Sequence, residues 1–378
     1  MKAGRKTALT GAGLLIAATH SLSCTSCHSG ASGGTGASAP ALASAAGDLG
    51  APTTRDAEAS GLTAVSLPGG SGGIGFDDLV FASRIRKVLA PAAATRSLDL
   101  VDPDTMQITP IGGFSGSQGA FRGGHGEGTT SADEGRGLLF AIDRTSGKLD
   151  VIDPGARAIV GQAKLDGSPD YVRWVDPTSE VWVTEPDGER IEVFTIAPGP
   201  KPNPVHSLNI SVNGGPESLV IDTTRKLAFT HLWRGLSIVI DIAKHVPVAT
   251  WPNGCSGSRG IAIDAKRGFL FAGCAEGRLV VLDVDHNGKE LGSVSSGSGV
   301  DVIGYNPSLS HAYLPGASSA TMAFVGVAPS GRLTVLGTVP TAAGAHCVTA
   351  DDRAHAWVCD PDQGRLLVFK DSYGPSGS

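Results

Sequence analysis

Arg259-Gly-Ile-Ala-Ile-Asp264 leads to Phe269-Leu-Phe-Ala-Gly-Cys274, and that run leads to Arg278-Leu-Val-Val-Leu-Asp283. Three short apolar runs follow one another, too short for helices and separated by turns carrying Gly, Asp, Lys and Glu. Aliphatic and aromatic runs of this length between such turns read as β-strands in consecutive hairpins. The neighbouring stretch repeats the pattern: Glu217-Ser-Leu-Val-Ile-Asp222, then Leu227-Ala-Phe-Thr-His231, then Leu236-Ser-Ile-Val-Ile-Asp241. So does the C-terminal one: His346-Cys-Val-Thr-Ala-Asp351, Ala356-Trp-Val-Cys359 and Arg365-Leu-Leu-Val-Phe369.

From Gly75 onward the residues that lead into the first strand of each unit are Asp78, Glu127, Asp170, Glu217, Arg259, Asp301 and His346. Their spacings are 49, 43, 47, 42, 42 and 45 residues. A period of about 40–50 residues with several strands per unit is the signature of propeller blades, whereas helical repeats show a 3.6-residue periodicity that is nearly absent here. A fourth strand follows the third in six units, for example Pro247 to Trp251 and Lys289 to Val294. The seventh unit lacks one, because the sequence ends soon after Phe369, while Leu62-Thr-Ala-Val-Ser-Leu67 stands before the first unit without a partner. The expected fold is therefore all-β: a seven-bladed β-propeller of four-stranded antiparallel blades, closed by the N-terminal strand in the last blade. Closure removes the exposed strand edges. The 53 glycines and 23 prolines suit this many tight turns.

Val181-Trp-Val-Thr-Glu185 with Ile191-Glu-Val-Phe194, together with Leu98-Asp-Leu-Val-Asp102 and Leu149-Asp-Val-Ile-Asp153, resembles the YVTN-type β-propeller repeat proteins. The resemblance spans about residues 62 to 370 and implies a seven-bladed, extracytoplasmic propeller; it carries over no catalytic residue. The chain departs from the repeat at Ala90-Pro91, Thr230-His231-Leu232-Trp233 and Leu314-Pro315-Gly316.

The N-terminus reads as an export signal over residues 1–23: Lys2, Arg5 and Lys6 precede a short apolar stretch from Ala8 to Thr19 that cannot span a bilayer. Leu22 stands two residues before Cys24 rather than three, an incomplete match to a lipid-anchor signal at Cys24. Residues 24–60 are Gly, Ala and Ser rich and read as a tether, leaving 61–378 as the propeller. Cys24-Thr25-Ser26-Cys27-His28 also matches the c-type haem attachment pattern, although no small helical cytochrome domain follows it. Net charge is −6 and no basic stripe occurs, which argues against nucleic acid as a partner.

In a propeller the seven leading residues, Asp78 to His346, ring one mouth of the central channel and make a mixed-charge ligand site on a rigid scaffold. Asp143, Arg144, Glu185, His231, Cys274 and Asp360 are expected just outside that ring. His125, His231 and His346 are the candidate ligands of a divalent metal. Cys347 and Cys359 fall opposite each other on paired strands, and Cys255 and Cys274 flank the first two strands of the fifth unit, giving two expected disulfides. Gly254-Cys255-Ser256-Gly257-Ser258 lacks the strand-to-helix setting of a serine nucleophile, and Gly69 to Gly75 lacks the lysine of a phosphate loop. The functional expectation is a monomeric extracytoplasmic binding or scaffold protein, taking a small polar ligand or a protein or peptide partner at the channel mouth, and reaching a membrane only through lipid on Cys24. The alternatives are a metal-assisted hydrolase, lactonase or lyase, and electron transfer through haem on Cys24, Cys27 and His28.

Overall fold

The computed structural model describes residues 61–116, 121–197, 199 and 202–376. The expected leader, the tether and the Cys24, Cys27 and His28 motif lie outside the described residues. Among the described residues no helix is long and apolar enough to cross a membrane.

Seven four-stranded antiparallel sheets follow one another along the chain. Blade 5 is typical: Ser258–Asp264, Phe269–Cys274, Arg278–Asp283 and Lys289–Ser295 pair in sequence order. Blade 7 differs, as the unpartnered N-terminal run requires. Val348–Ala350, His355–Asp360 and Arg365–Lys370 come from the C-terminal end, and Leu62–Ser66 supplies the outer strand. The register runs from Leu62 opposite Phe369 to Ser66 opposite Arg365.

The packing shows why the strands are apolar at consecutive positions rather than alternately. Side chains alternate between the two faces of a strand, and both faces of these blades are covered. In the second strand of blade 5, Phe271 packs with Leu314 and Val325 of blade 6, whereas Leu270 packs with Phe229 and Val239 of blade 4. Seven apolar cores result, one between each pair of successive blades. The last joins Trp357 and Val368 of blade 7 to Val88 and Ala90 of blade 1, so the ring is closed by side-chain packing as well as by backbone pairing.

One expected disulfide is present, between Cys255 and Cys274, with Cα atoms 5.2 Å apart. The other is not formed. Cys347 and Cys359 do face each other, with the Cys359 amide donating to the Cys347 carbonyl at 3.1 Å, but both are buried free thiols. The Cys359 sulfur is turned toward the amides of His346 and Cys347, which donate to it at 3.4 and 3.3 Å. The two sulfurs lie within 4.8 Å of each other without being bonded.

Candidate functional site at the channel mouth

The loops leading into the first strands converge at one end of the channel, held by contacts that leave no room for side chains. A Cβ on Gly75 would lie 2.4 Å from the Gly124 carbonyl oxygen, so the approach to blade 1 and the loop before blade 2 touch backbone to backbone. The amide of Val302, before blade 6, donates to the His346 carbonyl, before blade 7, at 2.9 Å.

Two adjoining cavities, of about 560 and 320 Å³, open between these loops and share His125, Arg259 and Asp301 in their walls. His346 lines the larger; Asp77, Arg144, Asp170, Tyr171, Glu217 and Trp233 line the smaller. Five of the seven expected ring residues therefore meet in one basin: Asp170, Glu217, Arg259, Asp301 and His346.

The other two do not. Asp78 is buried and engaged elsewhere: both oxygens accept from the Arg173 guanidinium, at 2.6 and 3.2 Å, and Ser131 Oγ donates to it at 2.7 Å. Its neighbour Asp77 takes the mouth position. Glu127 is exposed and contributes to neither cavity wall; His125, two residues earlier, fills that place. Of the six residues expected just outside the ring, Arg144 reaches the basin. Glu185 and Asp360 are instead held by arginines on the next strand, Arg190 and Arg365, at 2.6 and 2.7 Å. Asp143 accepts from the amides of Ser115 and Ser146, and Cys274 is in the disulfide.

His231 departs from the expected metal triad. It is fully buried, and its Nδ1 lies 3.0 Å from Ser237 Oγ. Burial holds its pKa down to about 4, so the ring is neutral. The strand explains its place: His231 shares a face with Phe229, which packs toward blade 5 rather than into the channel. His125 and His346 do come together, their rings stacked with centroids 5.6 Å apart. Asp301 completes the cluster in place of His231: ligating atoms of His125, Asp301 and His346 all lie within 4.8 Å of one another.

The basin's charges are arranged in pairs with one exception. Arg144 bridges Asp77, at 2.6 Å, and Asp170. Arg259 donates to Glu217 at 2.9 Å and lies over the ring of Trp233, 4.2 Å from its centroid. His125 Nδ1 sits 3.2 Å from Asp77 Oδ2, at ion-pair distance though off the line of a straight hydrogen bond. Asp301 has no ion-pair partner among the described residues. Burial alone would raise Asp77, but His125 and Arg144 outweigh it and hold it at about 2. Burial pushes Glu217 up to about 7 against the pull of Arg259. Burial and the charge of Asp77 together raise Asp301. His346 is clamped between carbonyls, Nδ1 2.6 Å from Gly344 O and Nε2 2.9 Å from Phe76 O. Two acceptors on one ring hold both nitrogens protonated.

Sequence reasoning missed Asp77, Tyr171 and Trp233. Trp233 had a signal: a tryptophan just past the end of a strand, at a departure from the repeat, is 53% exposed here.

The fold and the site together define a β-propeller with a charged channel-mouth basin. No family model matches the chain, and no curated protein matches it. Solved structures match it as a fold. It is similar to a chain of the mitotic checkpoint complex, at 11% identity and a TM-score of 0.64, over 82% of this chain and 93% of that one. It is also similar to the β-propeller domain of Myceliophteria thermophila Cps50 (Swd1), at 10% identity and a TM-score of 0.66, over 81% and 99%. A chain of Kuenenia stuttgartiensis hydrazine synthase matches at 13% identity and a TM-score of 0.63, over 80% and 96%.

Proposed function

We propose that this chain is an extracytoplasmic propeller of the YVTN repeat type that binds a polar group in the channel-mouth basin, either as a small ligand or as a side chain presented by a protein partner. The observation that carries the reading is the unpaired Asp301 carboxylate on the wall shared by both cavities, facing a rim whose other interior acids are matched by Arg144 and Arg259. A half-buried charge without a partner is costly unless a ligand supplies one. Trp233, exposed and backed by Arg259, offers the ligand an aromatic face. The Cys255–Cys274 disulfide supports an oxidising compartment, in keeping with the N-terminal reading. One neighbour in fold, a chain of the mitotic checkpoint complex, is in keeping with a partner of protein type.

The test is a thermal-shift screen of small amines, amino acids and short peptides against the whole protein, followed by calorimetry of the best binder. Trp233→Ala and Arg259→Gln are expected to weaken that binding at least about tenfold. Replacing Glu217, Arg259 and His346 together is expected to abolish it. Undiminished binding by these variants, provided they remain folded, places the site elsewhere.

A further inference from the structure

We infer that the basin holds a divalent transition-metal ion on His125, Asp301 and His346. This deepens the binding reading above and rests on it, since the ion would sit on the wall common to both cavities.

The donor set is two imidazoles and one carboxylate, a combination that suits zinc and its first-row neighbours and discriminates against calcium and magnesium, which take oxygen ligands. The three donors converge within 4.8 Å although they come from three separate loops, those before blades 2, 6 and 7. A trigonal or tetrahedral ion at the usual metal–nitrogen and metal–oxygen distances of about 2.0–2.2 Å sets its ligand atoms about 3.3–3.7 Å apart. The cluster therefore needs to contract by no more than about 1.5 Å.

The surroundings are those of a metal site. Asp77 lies at 3.2 Å from His125 Nδ1, which leaves Nε2 as that ring's ligating atom; a carboxylate behind a histidine is the arrangement that orients metal-bound imidazoles. His346 has a backbone carbonyl at each nitrogen, 2.6 Å from Gly344 O and 2.9 Å from Phe76 O. Ligation costs His346 one of these contacts: the nitrogen that takes the metal loses its proton to solvent and its carbonyl has to withdraw, while the other N–H keeps its carbonyl and fixes the ring. Asp301 needs to break no ion pair to ligate. All three residues line the larger cavity, so positions on the ion not filled by protein face a space of about 560 Å³.

A competing donor set shares His346. The sulfurs of Cys347 and Cys359 group with His346 within the same 4.8 Å, but both cysteines are fully buried and neither lines the cavity. Access and the free carboxylate favour the mouth set.

The experiment strips the whole protein with chelator and titrates it with Zn²⁺ and with Co²⁺, following binding by calorimetry and by the cobalt absorption spectrum. The expected result is one equivalent bound, visible cobalt bands, and no near-ultraviolet thiolate charge-transfer band. Asp301→Asn is expected to lower affinity at least about 100-fold, and Asp77→Asn about 10- to 100-fold through the orientation of His125. A Cys347→Ser/Cys359→Ser protein is expected to bind as before. Less than one equivalent, an Asp301→Asn protein that binds like the parent, or a thiolate band abolished by the serine substitutions each overturns the assignment. If the protein takes no metal but still captures the compound found in the thermal-shift screen, the metal inference fails alone; if it takes neither metal nor compound, the basin reading fails with it.

Discussion

Replacing Asp99 by Asn should invert the usual expectation that removing a buried polar charge from a strand weakens a fold. Asp99 is the third residue of the third strand of blade 1 and is fully buried. One oxygen accepts from Ser97 Oγ at 2.8 Å, and the other has no partner among the described residues. Burial pushes its pKa up to about 6 from a model-peptide value near 3.8, with Ser97 opposing. A folded-state pKa above the unfolded one means that the native protein binds the extra proton between about pH 4 and pH 6. Stability associated with this group is fully present below pH 4 and is lost as pH rises through 6. About two pKa units correspond to about 3 kcal/mol. Asn keeps the acceptor for Ser97 and carries no charge, but its amide nitrogen inherits the unpartnered position at a cost of about 1–2 kcal/mol. At pH 7.5 the variant should therefore be more stable by about 1–2 kcal/mol, and below pH 4 less stable by a similar amount. Urea denaturation of parent and variant across pH 4–8 measures the difference, in which the other titrating groups cancel. A difference that does not change with pH refutes the burial argument.

Cys255→Ser should lower stability by about 2–4 kcal/mol, since the bond closes a loop with a sequence separation of 19; reductant should reproduce the loss in the parent and leave the variant unaffected. Cys347 and Cys359 should resist alkylation in the folded protein and react once it is denatured without reductant, as peptide mapping by mass spectrometry would show; a disulfide-linked peptide pair would contradict the free-thiol arrangement. Gly364→Ala should destabilise by at least about 2 kcal/mol: its φ is +55°, and a Cβ there would meet the Gly70 carbonyl oxygen at 1.9 Å. Thermal melts of the variant against the parent check this.

The blades were legible because covering both faces makes the middle strands of most blades largely apolar, and because that pattern recurs at 42–49 residue spacing. The closing strand was legible as a surplus at one end matched by a deficit at the other. The site was half legible. Asp170, Glu217, Arg259, Asp301 and His346 fall where the repeat places them, since each sits next to a strand whose phase is set by packing. Asp78 failed by one residue because Phe76-Asp77-Asp78 offers two adjacent acids, and alternation sends one to the mouth and the other to Arg173. Glu127 failed because its loop carries Gly123, Gly124 and Gly128 at positive φ, a backbone path that repeat spacing does not encode. His231 was misplaced by treating a strand residue as a loop residue; the phase of Phe229 already assigned it to the space between blades. The two thiols failed because opposition on paired strands fixes backbone distance and leaves the sulfur rotamer free.

The seam and the basin are mechanically one region, and this yields a last expectation. Leu62–Ser66 pairs with Arg365–Lys370, and immediately beyond it the Leu67 amide donates to the Gly364 carbonyl at 3.1 Å. Seven residues later the Ile74 amide donates to the Pro361 carbonyl at 2.8 Å, and then Phe76 O receives His346 Nε2. The chain that closes the ring is thus the chain that clamps His346 and presents Asp77 to His125 and Arg144. Removing Leu62–Ser66 should therefore increase hydrogen exchange both along Arg365–Lys370, which loses its outer partner, and at Phe76–Asp78 and His346, which lose their anchor. A truncated protein that exchanges faster only along Arg365–Lys370 would show that the basin is held by its own loops, and that ring closure contributes stability without shaping the site.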